Sequence, residues 1–99
     1  MKVAFRTPRL RKCYESQRDA IREFGDLGRR YISRINVIYA CETLDDLHKL
    51  PQLGFHALKG DRAGQFAISL SGNMRLIVSI EQVGREMVVY VEEVSKHYD

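Results

Sequence analysis

Apolar residues recur every three or four positions in the first half of the chain and every two in the second. That change of period divides the sequence into helices followed by strands. A short strand around Val3 to Phe5 comes first. Thr7 is placed to cap a helix, and Pro8 suits its first turn, where no N–H is needed. Leu10, Cys13, Tyr14, Gln17, Ile21 and Phe24 then follow at helical spacing, and Gly25 stops the helix. Arg11, Lys12, Glu15, Arg18, Asp19, Arg22 and Glu23 form its polar face. Asp26 can cap a second helix, whose stripe is Leu27, Tyr31, Ile35 and Ile38, with Arg29, Arg30 and Arg34 on the solvated side. Thr43 and Asp46 match a capping box over residues 43–50, which are either a third segment or the last turns of the second helix. Pro51 ends them.

After Gly54 the pattern alternates. Phe66, Ile68 and Leu70 lie on one side of a strand, and Ser71-Gly72-Asn73 is a turn. Met74, Leu76, Val78 and Ile80 alternate in the next strand. Val83-Gly84-Arg85 is a second turn, before a Val-rich strand from Met87 to Val94. Loops this short join antiparallel neighbours. The expected fold is α+β, with N-terminal helices packed on one face of a small antiparallel sheet and the other face open to solvent. With Leu76 and Val78 turned to the helices, Arg75, Ile77 and Ser79 point outward.

Composition narrows the classes. Ninety-nine residues suit one domain over 1–99. No apolar run approaches the ~18 residues of a membrane span. Charge begins at Lys2, so no signal peptide is expected. Two cysteines make neither a disulfide framework nor a zinc site, which points to reduced thiols in a cytoplasmic protein. The net charge of +3 is uneven: residues 1–50 carry 11 basic and 7 acidic side chains, and residues 51–99 carry 5 and 6. A basic, Arg-rich half suits either nucleic acid or an acidic protein partner.

The candidate chemistry lies in the second half. His56-Ala57-Leu58-Lys59-Gly60-Asp61-Arg62-Ala63-Gly64 places one imidazole and two cations before the first long strand. Lys96-His97-Tyr98-Asp99 closes the chain with a second imidazole, a phenol and a carboxylate. The plain structural alternatives are a solvated turn at Lys59 and Arg62, an Arg75–Glu93 pair across the sheet, and a frayed terminus. Cys13, Cys41, Tyr14, Tyr31 and Tyr39 read as core or core-edge residues.

The segment His56 to Arg62, the strand to Leu70 and Gly72-Asn73-Met74-Arg75-Leu76 together resemble the HigB branch of the RelE/ParE toxin superfamily. Met74 stands where that branch has an aromatic residue. Its tail is often Asp-Tyr-His, whereas here His97-Tyr98-Asp99 exchanges the acid and the imidazole. The resemblance implies the toxin half of a toxin–antitoxin pair, cutting mRNA in the ribosomal decoding site without a metal or other cofactor. It implies catalytic roles for His56, Lys59, Arg75, His97, Tyr98 and Asp99. Lys59, Arg62, Arg75 and Lys96 are the expected substrate-binding cations. The implied partners are the ribosome, mRNA and a HigA-like helix-turn-helix antitoxin, through which alone operator DNA is met. A ParE-like gyrase poison and an inactive antitoxin-binding, corepressing module are the alternatives.

Overall fold

The computed structural model describes residues 1–96. Strand β1 (Lys2–Phe5) leads into helices α1 (Pro8–Glu15), α2 (Gln17–Phe24) and α3 (Gly28–Ala40), then the single turn α4 (Leu44–His48). Strands β2 (His56–Ala57), β3 (Gln65–Ser71), β4 (Met74–Val83) and β5 (Glu86–Lys96) complete a sheet ordered β1-β5-β4-β3-β2. The α+β class holds, but the sheet is mixed. β2 through β5 are antiparallel neighbours, while β1 pairs with β5 in parallel, Val3 opposite Val89. Hairpin loops report only local pairing, and the partner of β1 lies more than eighty residues away.

The first helical stretch is two helices. Ser16 takes an extended backbone (φ −136°, ψ 114°), ends α1 through its N–H to the Lys12 carbonyl, and caps α2 by accepting from the Asp19 N–H. A serine that offers its own hydroxyl to the chain competes with helix continuation. The break shifts the helical phase: Ala20 is fully buried, while Gln17 and Ile21, expected inside, are exposed. Thr7 and Pro8 start α1 as the spacing predicts. Asp26 does not cap α3; it sits in a 3-10 turn, and the helix begins at Gly28 with no side-chain cap. The capping box at Thr43 and Asp46 is present and starts α4 as a separate segment.

Helix α3 is the inner layer. Tyr31, Ile35 and Ile38 are fully buried against Ile68, Leu70, Leu76, Val78, Val89 and Val91 of the sheet. The Tyr31 hydroxyl donates to the Leu10 carbonyl at 2.7 Å, and burial pushes its pKa well above the ordinary phenol value. Arg30 and Arg34 are not merely solvated. They donate to the carbonyls of Leu70 and Ser69, where the β3–β4 register shifts and the ladder is irregular. Burial and the neighbouring Arg30 lower the Arg34 pKa. Cys13 and Cys41 are buried free thiols, and burial raises both.

Gly28 sets how closely α2 and α3 approach. A Cβ there would lie 2.6 Å from the Ala20 carbonyl carbon, a contact with backbone that no rotamer relieves. Alanine gains up to ~1 kcal/mol in helix propensity, but overpacking against backbone atoms this close costs ~3 kcal/mol, the upper end of the usual range. Gly28→Ala is expected to lose about 2 kcal/mol net, read as a lower urea midpoint with unchanged slope. An unchanged midpoint would refute the close approach.

Candidate functional site

The register across the sheet assigns the face of each candidate. Phe55 turns inward, stacked on Phe66 at 5.1 Å between centroids. His56, the next residue and the first of β2, therefore turns outward. His56 lies opposite Ala67, Ala67 opposite Ile77, and Ile77 opposite Glu93, one outward row over four strands. The adjacent row is Ser69, Arg75 and Ser95. His56 and Arg75 thus share a face, two strands and two residues apart, which is roughly 12 Å between their backbones at ordinary strand spacing. Neither is sealed in the core. The face itself is less open than the sequence suggests, since Ala67 is 0% and Ile77 4% exposed.

His56 is held by its own loop. Its Nδ1 lies 2.8 Å from the Gly54 carbonyl. A carbonyl only accepts, so Nδ1 carries the proton and donates, and in the neutral ring Nε2 holds the lone pair. Gly54 supplies that carbonyl from a left-handed backbone (φ 53°, ψ 33°) that suits glycine.

Lys59 is exposed and opens the 3-10 turn Gly60–Arg62. Arg62 closes it, donating to the Gln65 side chain at 3.0 Å and to Glu93 at 3.1 Å. Glu93 thereby ties the Lys59 loop to the outward face of β5. The alternative pairing of Arg75 with Glu93 does not form, and Arg62 takes that carboxylate. Arg75 instead donates through Nη1 to the carbonyls of Gly72 and Met74, which curls it toward the β3–β4 turn. It sits at the second residue of β4. Lys96 is exposed at the end of β5, opposite Met74. His97, Tyr98 and Asp99 lie outside the described residues.

A second outward cluster was not read from the sequence. The β4–β5 register shifts between Ile77 and Val78, so that Glu93 faces Ile77, Val91 faces Val78, and Glu92 is the extra residue of a bulge. Both glutamates then serve one face. Glu92 accepts two bonds from Arg6, at 3.0 and 2.8 Å, and a third from Ser79. The Arg6 guanidinium lies over the Tyr90 ring, 4.6 Å from its centroid. The signal was legible. Val91 and Val94 both turn inward three residues apart, where strict alternation puts inward residues two apart.

The hydrogen bond from Arg6, then that from Ser79, lowers the Glu92 pKa against the opposing effect of burial. A carboxyl depressed in the folded state stabilises above its unfolded value, ~4.3, and that contribution is lost as pH falls through the folded value. Glu92→Gln is expected to show a smaller loss of stability between about pH 6 and about pH 3 than the parent, by urea titration at each pH. Equal losses would mean that Glu92 gains nothing on folding. The Arg62–Glu93 pair, with both side chains over two-fifths exposed, is worth at most ~1 kcal/mol. Glu93→Gln should therefore release the Lys59 loop, seen as faster amide exchange over 58–64, at nearly parental stability.

Among the described residues, no three His, Cys, Asp or Glu side chains gather as a metal site, and no helix is long and apolar enough to cross a membrane. No protein-family model matches the sequence, and no curated protein does. Among solved structures, a YoeB/ParE toxin from Agrobacterium tumefaciens superposes with a TM-score of 0.59 at 21% identity. The match covers 99% of this chain and 100% of that one. At such identity what the two proteins share is architecture: this chain has a RelE/ParE-like toxin fold.

Proposed function

We propose that the protein is the toxin of a toxin–antitoxin pair and acts as a ribosome-dependent mRNA endoribonuclease. The observation that carries this reading is the common outward face of His56 and Arg75, with Lys59 on the loop tied to that face. The likeness of fold to a YoeB/ParE toxin supports the toxin class. The run from His56 to Arg62, with Asn73 and Arg75, favours the HigB-like branch within it.

The reaction uses the RNA's own 2′-hydroxyl. His56 accepts the hydroxyl proton at Nε2, since its Nδ1 already donates to the Gly54 carbonyl. The 2′-oxygen attacks phosphorus, the bond to the 5′-oxygen breaks, and a 2′,3′-cyclic phosphate remains. The leaving oxygen takes a proton from a protonated His97 or from water. Lys59 and Arg75 neutralise the phosphate as charge builds on it. Arg75 spends only Nη1 on the turn carbonyls, and its Nε and Nη2 donors suit a phosphate without releasing them. Arg62, engaged with Glu93, supports the loop that carries Lys59. Tyr98 is assigned to base stacking or 2′-hydroxyl orientation, and Asp99 to the same terminal group. Lys96 adds positive charge at the end of β5.

The ribosome supplies the mRNA in fixed geometry, so the protein needs to complete only part of the site. A HigA-like helix-turn-helix antitoxin neutralises it, and the pair meets operator DNA through the antitoxin.

Translating ribosomes incubated with the purified protein should yield codon-phased mRNA 5′ ends. His56→Ala is expected to reduce the cleavage rate by ~10²–10⁴-fold, and Arg75→Ala by ~10²–10³-fold. Intact mRNA with double-strand DNA breaks in arrested cells would favour a gyrase poison instead. Tight antitoxin binding without growth arrest would favour an inactive corepressor.

A further inference from the structure

The Arg6–Tyr90–Glu92 cluster lies on the same outward face as His56 and Arg75, yet the proposed cleavage gives it no task. Strand β5 carries Tyr90 outward opposite Ser79, on the β1 side of the row that contains Glu93. Arg6 follows β1 and is anchored by its own N–H to the Val91 carbonyl at 2.9 Å. Its guanidinium is then held twice, with Cζ over the Tyr90 ring at 4.6 Å from the centroid and in a two-pronged bond with Glu92.

An arginine used only for surface charge has no need of such restraint. Glu92 is 14% exposed in its side chain, whereas Arg6 remains 48% exposed. The ring and the carboxylate both contact the guanidinium, and about half of the Arg6 side chain stays accessible. The carboxylate neutralises its charge, so phosphate is a poor match. A flat, rigid, nearly neutral surface matches the face of a nucleobase, and arginine planes and aromatic rings are what splayed single-stranded RNA bases stack on. The cluster also depends on the bulge, because only the extra residue turns Glu92 toward Arg6. Bulges recur beside functional sites, where they re-aim a side chain.

We propose that Arg6, placed over Tyr90 and held by Glu92, forms a base-stacking subsite for a single-stranded RNA nucleotide a few positions along from the one cut at His56. This rests on the endoribonuclease reading and extends it from a catalytic row to a binding track across the sheet. Arg6 binds the base, and Tyr90 and Glu92 are positioning residues.

Short RNAs carrying 2-aminopurine at successive positions provide the test, with His56→Ala protein so that the RNA stays whole. Fluorescence should be quenched strongly at the offset that reaches Arg6. At that offset an abasic nucleotide should weaken binding roughly tenfold. Arg6→Lys keeps the charge and removes the plane, so it should abolish the quenching and erase the abasic penalty. Tyr90→Leu removes the ring beside the guanidinium and should weaken the quenching, and Tyr90→Phe, which keeps the ring, should rescue it. Urea midpoints would establish that each variant is folded.

A flat quenching profile across the scan, or one unchanged by Arg6→Lys, overturns the subsite even if ribosomes are cut normally. Position-specific quenching that depends on Arg6 supports it even if no cleavage occurs, in which case the endoribonuclease reading alone fails.

Discussion

The architecture depends on β5 being paired along both edges while facing two ways. β4 pairs with it antiparallel from Glu86 to Lys96, and β1 pairs with it in parallel along Val88 to Val91. Its inward Val89 and Val91 are fully buried beneath the helices. Its outward Tyr90, Glu92 and Glu93 meet Arg6 at one side and Arg62 at the other. One strand therefore seats the hydrophobic core and also organises the polar face. Without the extra residue at Glu92, the parity of one end would flip, and either the valines or the carboxylates would face the wrong way.

On the helical side, α3 answers that sheet with Tyr31, Ile35 and Ile38, and Gly28 brings it against α2. The Tyr31 hydroxyl then satisfies the Leu10 carbonyl, joining α1 to the same core. Arg30 and Arg34 reach the sheet where its own ladder leaves carbonyls available. Part of the basic excess in the first half of the chain thus serves to dock a helix, so its charge is weaker testimony for nucleic acid than the bare count suggests.

The outward face joins stiffness with exposure. His56 has its tautomer set by a backbone carbonyl, Arg75 is tethered to a tight turn, and the Lys59 loop is tied down by Arg62 and Glu93. These groups cost the fold little, because their bonds go to neighbouring backbone or to exposed carboxylates. A face built in this way holds its charged groups in place without further ordering, which is the physical content of preorganisation.

Much of this was legible in the residues alone. The α+β class followed from the change of hydrophobic period, Thr7 and Thr43 from capping chemistry, and the outward turn of Arg75 from strand parity, because each depends on neighbours within a few positions. The break at Ser16 is local too, yet periodicity alone reads through it, since Ala20 and Ile21 both fit an apolar stripe until the phase is known. The rest was decided by contacts far apart in the chain. The parallel pairing of β1, the choice of Arg62 rather than Arg75 by Glu93, and the meeting of Arg6 with Glu92 each join residues at least thirty positions apart. Sequence specifies which side chains can pair. Which of several competing arginines reaches a given carboxylate is settled only when the sheet's order and register put one of them within reach.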